Sequence, residues 1–291
     1  MAQGIFLGII SQFLFGLLYL FSLWLQPLNG TDVFAWRMVM MVLGLFLIIF
    51  PTVGCRSLSK LVNETLGKDK KRWMLFLLGT LDAGSQFWLF MWAPVNGEGV
   101  NIAMGDFLFP LVMALLGRIW LKETLSTIQI IALCIAACGV AHEFWHNQTF
   151  SWSSLWVCLV YPYYYLSRKT MKIPALQGIT LDVCFIAIPC LIYLLIQEQQ
   201  LSFVIGESRY WYLLPALGLV SAIGLSANLK SSQQIPVSVF AVLSYLEPTL
   251  LFLIAIFWLN TQVSPSDYLT YVPIWASLIL LGVNGLIKKR H

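Results

Sequence analysis

Charge is scarce in this chain. Only 10% of its 291 residues are Asp, Glu, Lys or Arg, while 59% are hydrophobic. A soluble domain carries about 25% charged residues, and a single core cannot hide this much apolar surface. A soluble globular protein is therefore excluded. No G-x-x-x-x-G-K-[ST] signature is present, so nothing points to ATP as a driving force. The first apolar stretch, from about Ile5, has no basic segment before it and no small-residue cleavage signal. It reads as a retained span rather than a removable leader. The net charge of +4 is spread through short loops instead of covering one face, which argues against nucleic acid as a partner. Of six cysteines, Cys134, Cys138, Cys158, Cys184 and Cys190 fall inside apolar segments. There they read as small helix residues, not as a disulfide frame or a metal set, and no cofactor or metal is expected.

What the chain does have is apolar runs of about 20 residues, each long enough to cross roughly 30 Å of hydrocarbon. We read ten: 5–25, 33–50, 73–93, 100–121, 127–145, 152–168, 178–197, 210–229, 237–259 and 267–287. The fold class is an all-α polytopic membrane protein of ten transmembrane helices, with the lipid bilayer as its surroundings. With a cytoplasmic N-terminus, fourteen Lys and Arg residues, among them Arg56, Lys68, Arg72, Lys122, Arg168, Lys169 and Lys288–Arg290, fall inside. Arg209 alone falls outside. The positive-inside rule then places both termini in the cytoplasm. Five spans per half make 1–146 and 147–291 antiparallel, which is an inverted-topology repeat.

A loosely repeated segment points to the working site. Gly105-Asp106-Phe107-Leu108-Phe109-Pro110 opens one apolar run, and Ser244-Tyr245-Leu246-Glu247-Pro248 opens another. Each run closes on a Trp-Leu pair, Trp120-Leu121 and Trp258-Leu259. Duplicated, proline-interrupted membrane segments that carry an acid mark transporter binding sites. Pro110 and Pro248 are the hinge candidates. Asp82 and Glu247 fall roughly 14 Å deep by helical rise, near the midplane, and Asp106 lies nearer the outer face. Charges at that depth cost about 2.5–3.5 kcal/mol on insertion scales, so they should face a cavity or one another. Structural pairing or backbone capping is the bland alternative; proton coupling or binding of an amine-bearing or cationic small molecule is the functional one.

Neighbouring residues extend the candidate site. Ser85, Gln86 and Leu89 share a helix face with Asp82 by spacing. Trp88 and Trp92 lie one turn apart, and Tyr245 could form an aromatic wall suited to ammonium groups. Arg37 either pairs with Asp106, holds a substrate carboxylate, or snorkels to the outer interface. Tyr161-Pro162-Tyr163-Tyr164-Tyr165 runs around the sixth helix, so its tyrosines cannot all face one pocket. Lys122 and Glu123 are placed to seal the inner end of the fourth span. His142-Glu143-Phe144-Trp145-His146 matches H-E-x-x-H. It lies at the outer interface with no third ligand in view, which favours coincidence over an intramembrane zinc hydrolase.

The stretch from Phe90-Met91-Trp92-Ala93 through Asn96, Gly105-Asp106-Phe107, Pro110-Leu111-Val112 and Leu121-Lys122-Glu123 to Ala137-Cys138-Gly139-Val140 resembles the RarD-type permeases. These form part of the EamA group of the drug/metabolite transporter superfamily. Arg37, Leu166-Ser167-Arg168-Lys169, Pro248-Thr249-Leu250 and Trp275-Ala276 extend the resemblance colinearly. It implies ten helices, an inner-membrane location and export or exchange of small metabolites or drugs, not enzymatic turnover. The departures are chemical. Asp106 replaces the family's usual Tyr, Glu247 its usual Gly, and Asn260-Thr261 its second Gly-Glu, adding negative charge to the expected pocket. The expectation is a secondary transporter working by alternating access on a small-molecule substrate, with protons as a possible coupling ion. A non-transporting sensor on the same scaffold is the remaining alternative.

Overall fold

The computed structural model describes residues 1–67, 69–123, 125–147, 151–257 and 265–287, and these form helices without a strand among them. Lys68, Trp258-Leu259, Asn260-Thr261, Lys288–Arg290 and the side chain of His146 lie outside what is described. The helices are α1 (Ala2–Trp24), α2 (Gly30–Thr52), α3 (Arg56–Lys60), α4 (Lys70–Trp92), α5 (Gly99–Trp120), α6 (Thr127–Asn147) and α7 (Trp152–Leu155). They continue as α8 (Tyr161–Thr170), α9 (Ala175–Ile196), α10 (Glu198–Gly206), α11 (Tyr210–Gln234), α12 (Val237–Leu243), α13 (Leu246–Phe257) and α14 (Pro265–Ile287). Each apolar run read from the sequence is helical over most of its described residues. Six helical stretches are long and apolar enough to cross a membrane by length and composition: Gly30–Thr52, Lys70–Trp92, Asn101–Trp120, Thr127–Trp145, Ala175–Ile196 and Tyr210–Gln234. Ala2–Leu18, Val237–Leu250 and Tyr268–Leu280 are shorter apolar helices. Their outward faces are oily, as with Leu43, Leu47 and Phe50 along α2.

Two runs are interrupted. A π-turn, Trp156–Val160, joins α7 to α8 just before Pro162. The ninth run, expected as one helix over 237–259, breaks into α12 and α13 at Ser244-Tyr245. Pro248 supplies the reason: it has no N–H for the Ser244 carbonyl four residues back, and its ring crowds that carbonyl. The Ser244 oxygen instead takes the Glu247 N–H at 3.4 Å. Glu247 and Pro248 consequently sit in the first turn of α13, not deep in a continuous helix. Pro110 produces no such break, and α5 stays helical across it.

Lipid tails give helices no hydrophobic reason to associate, so close packing has to do it. Small residues allow that here. At Gly218 on α11 an added Cβ would lie 2.5 Å from the Met40 carbonyl carbon on α2, and at Gly139 on α6 it would lie 2.5 Å from the Thr270 carbonyl oxygen on α14. Helices of the two halves interleave throughout: α1 lies on α11, α2 on α9 and α11, α4 on α8 and α9, α5 on α8 and α12, and α6 on α14.

Arg168 is a correction to the loop-charge reading. It is fully buried and paired with Asp182 of α9. Its Nε also reaches Asp182 at 3.3 Å, its Nη2 donates to the Phe76 carbonyl at 3.0 Å, and its guanidinium lies 4.0 Å from the Phe76 ring centroid. The Asp182 carboxylate further accepts from Thr80 (2.6 Å) and Tyr164 (3.0 Å). This charge clamps α4, α8 and α9 together.

Candidate functional site

A small cavity opens between the helices. Gln12, Phe15 and Leu18 line it from α1, Arg37 from α2, Gln86, Phe87 and Phe90 from α4, and Asp106 and Phe109 from α5. Tyr161 and Tyr165 of α8, Leu225 and Asn228 of α11, and Ser244, Glu247 and Pro248 at the break complete it. Both halves of the sequence contribute. Four of the residues singled out in the sequence meet here: Arg37, Gln86, Asp106 and Glu247, with Pro248 beside them.

The two carboxylates are not committed to the protein. Asp106 and Glu247 are half-buried, and among the described residues neither side chain makes a hydrogen bond or an ion pair. Glu247 lies near enough to Asp106 and Arg37 to feel both charges. Arg37 does not snorkel, and no carboxylate of a described residue lies within ion-pair distance of it. Its Nε donates to Ser221 at 2.9 Å and its Cζ sits 5.8 Å from the Phe87 centroid. Its Nη1 has no partner, and neither do the carbonyl oxygens of Gln12 and Gln86. Buried polar groups are nearly always bonded, so a cluster of unmet groups around a cavity points to a ligand.

The other residues singled out go elsewhere. Asp82 is buried outside the cavity wall, where its Oδ2 accepts the Tyr164 backbone N–H at 3.0 Å. It fastens α4 to the start of α8. Trp88 stacks on Trp92 at 5.0 Å and donates to Thr31 at 3.2 Å, outside the cavity. Tyr245 is fully buried against α5, with its hydroxyl donating to the Phe107 carbonyl at 3.2 Å, and forms no wall of the cavity. Pro110 lies outside the lining too. His142 Nδ1 lies 3.0 Å from the Thr270 hydroxyl, which donates to Glu143 at 2.7 Å. Both residues thus join α6 to α14, and among the described residues no group of three metal-ligating side chains forms.

Sequence reasoning missed Gln12, Tyr161, Tyr165 and Asn228. All but Gln12 form a linked wall: Tyr161 and Tyr165 hydroxyls lie 3.0 Å apart, Tyr165 donates to Asn228 at 2.8 Å, and Asn228 donates to Ser11 at 3.1 Å. The i, i+4 spacing of the two tyrosines was the available signal. Tyr164 between them turns to Asp182, as the run of tyrosines required.

Comparison with known proteins agrees with this architecture. The model of the EamA-like transporter family matches residues 2–142. A Haemophilus influenzae protein named an uncharacterized transporter is 73% identical over 288 residues, covering 99% of this chain and 96% of its own. The chloramphenicol-sensitive protein RarD of Pseudomonas aeruginosa is 36% identical, covering 99% and 97%. This chain belongs to the EamA transporter family. It is a RarD-type permease and an integral membrane protein, a transporter by kinship. A solved crystal structure sharing only 12% identity superposes with a TM-score of 0.73 over 97% of both chains, so the fold is common to the two.

In this EamA transporter, one end of the bundle is tied shut beyond the cavity. Glu123, just after α5, accepts the Val237 N–H at the start of α12 (2.8 Å) and pairs with Lys169 of α8 (3.4 Å). Lys169 also donates to the Ile235 carbonyl at 2.8 Å, and Gln233 to that of Ile173 at 2.8 Å. These contacts around Glu123 thus join α5, α8, α11 and α12, of which α5, α8 and α11 also line the cavity. At the opposite end of α5, Glu98 accepts from Ser153 (2.7 Å), Asn101 (2.9 Å) and Ser151 (3.1 Å). Those bonds hold its carboxyl below the ordinary carboxylate range.

Proposed function

We propose that the chain is a secondary transporter of the cell's inner membrane, moving a small amine-bearing or cationic molecule through the central cavity by alternating access. Protons or a second substrate supply the exchange. Ten membrane-crossing segments form two inverted repeats, 1–146 and 147–291, with both termini cytoplasmic. The observation that carries this reading is the pair of uncommitted carboxylates, Asp106 and Glu247, facing a cavity inside an oily helix bundle. A charge in such a place is expensive and functional by default.

The packing pattern supports the repeat. When the ten apolar runs are numbered in order, exchanging each with the one five later maps the more extensive contacts between runs onto one another. First on eighth becomes sixth on third (α1 on α11, α8 on α4), and second on eighth becomes seventh on third (α2 on α11, α9 on α4). Second on seventh, fourth on ninth and fifth on tenth map onto themselves, as α2 on α9, α5 on α12 and α6 on α14. A two-fold rocking motion needs that equivalence.

The test is uptake and counterflow in proteoliposomes with amines, amino acids and, as a neutral comparator suggested by the relative's name, chloramphenicol. Cation transport lost in Glu247→Gln with normal insertion is the expected result. Wild-type transport by that variant at every pH would remove Glu247 from the mechanism.

A further inference from the structure

The hydrogen-bonded wall of the cavity has a direction, and the direction is fixed at its far end. Ser11 reaches the Gly8 carbonyl at 2.7 Å. A carbonyl only accepts, so the single Ser11 proton lies on that bond, and the Ser11 oxygen accepts from the Asn228 amide at 3.1 Å. Asn228 therefore turns its carbonyl to Tyr165 and takes the one proton of that hydroxyl at 2.8 Å. Tyr165 has none left for Tyr161, 3.0 Å away, so Tyr161 is the donor of the last pair. With its proton committed, the Tyr161 oxygen has only lone pairs to offer elsewhere. Asp106 and Glu247 line the same cavity, near enough for their charges to act on Tyr161, yet they can take no hydrogen bond from it. Arg37 is near as well, and its one hydrogen bond goes to Ser221.

Resting on the amine reading above, we infer that Tyr161 binds the substrate directly, its hydroxyl oxygen accepting from the ammonium group beside Asp106 and Glu247. Tyr165, Asn228 and Ser11 are positioning residues that set the direction of that bond. The local fold aims α8 for the task. Asp82 holds the Tyr164 N–H at 3.0 Å and Asp182 holds the Tyr164 hydroxyl at 3.0 Å, and none of these three residues lines the cavity. Tyr161 and Tyr165, four residues apart on one helix face, are thereby left to line it together. The π-turn Trp156–Val160 ends immediately before Tyr161, and such widened turns recur at functional sites. The opposite direction would make Tyr161 a donor, which would cap a carboxylate and compete with a cation for it.

Full-length protein in nanodiscs, titrated with phenethylamine at mildly acidic pH, tests this. Tyr161→Phe keeps the ring and removes the oxygen. It should weaken the amine about tenfold or more, because hydrogen bonds with a charged partner are the stronger kind. Tyr165→Phe keeps the Tyr161 oxygen but frees its proton for a carboxylate. It should weaken the amine too, and the double variant should bind no worse than Tyr161→Phe alone. Replacing Tyr161 by 3-fluorotyrosine preserves every hydrogen bond while drawing electron density from the oxygen, which makes it a poorer acceptor and a better donor. Amine affinity should then fall about twofold, and this protein decides the matter if Tyr161→Phe is not recovered folded. Unchanged affinity in Tyr161→Phe with a lowered melting temperature would overturn the inference, leaving the oxygen a structural partner and the amine reading intact. Tighter binding by the fluorinated protein would overturn it by showing that Tyr161 donates. Additive losses in the double variant would overturn the positioning role of Tyr165. Binding of chloramphenicol but not of phenethylamine by wild-type protein would remove the amine reading and this inference with it.

Discussion

Among the described residues two arginines are buried in this bundle, and they are treated in opposite ways. Arg168 is spent on the fold. It pairs with Asp182, donates to the Phe76 carbonyl and lies over the Phe76 ring, while Thr80 and Tyr164 donate to the same carboxylate. Arg37 has one hydrogen bond, to Ser221, and no carboxylate of a described residue within ion-pair distance; an Nη1 without a partner is common to both arginines, so the ion pair is what separates them. Asp182 and Glu247 differ in the same way, one saturated and one facing open space. Burial alone therefore does not mark function here. What separates the two regions is whether the protein itself answers the charge.

The largest effect should come from breaking the answered charge. Removing one member of a buried pair typically costs about 3–5 kcal/mol, since it strands the other. Asp182→Ala should abolish recovery of monodisperse protein, whereas Arg37→Gln should be recovered at wild-type yield with substrate binding lost; size-exclusion profiles check both. If Arg37→Gln aggregates as Asp182→Ala does, the contrast between the two arginines fails. Next in size is Asp106→Asn, which has no internal bond to lose. Thermal stability should stay level or rise, as expected when an unanswered charge is neutralised, while amine transport falls about tenfold or more. A smaller effect is expected at Asp82. Asp82→Ala leaves the Tyr164 N–H without an acceptor and should cost about 1–3 kcal/mol. Because Asp82 lies outside the cavity, ligand affinity should hold; an affinity loss in a fully folded variant would return it to the site. The smallest concerns Glu98, whose carboxyl is held below its ordinary value of 4.5 by the serine and asparagine donors. A lowered value in the fold means that this tie contributes above the ordinary value and is lost as pH falls through the lowered one. Thermal melts of wild type and Glu98→Gln should differ near neutral pH and converge in acid.

Sequence reasoning reached the helices because each carries an apolar run too long to mistake. It reached Arg37, Asp106 and Glu247 because a charge in such a run is conspicuous, and Gln86 because it shares a helix face with Asp82. Depth, however, does not give direction. Asp82 is as deep as Glu247, yet it turns toward α8, and no spacing rule reveals which neighbour a side chain meets. Tyr245 was expected in the pocket beside Glu247. The Pro248 break turns it into the α5 backbone instead, and that break became visible only with the Ser244 carbonyl in place. Gln12 and Asn228 carry no charge and stand alone on apolar helices, so nothing in the pattern lifts them out. Arg168 reads in the sequence only as a basic residue near a span end; its partner Asp182 lies 14 residues on in the next apolar run, and nothing in the pattern pairs the two.

The most direct test asks whether the open-charge cavity is the passage. Ser244 lines it beside Glu247, so Ser244→Cys can be challenged with a membrane-impermeant thiol reagent in right-side-out and inverted vesicles, against the six native cysteines as background. The account predicts labelling from both sides and protection by the amine that binds best. A cysteine that is unreactive from both sides, or reactive and never protected by a ligand that is transported, would contradict it.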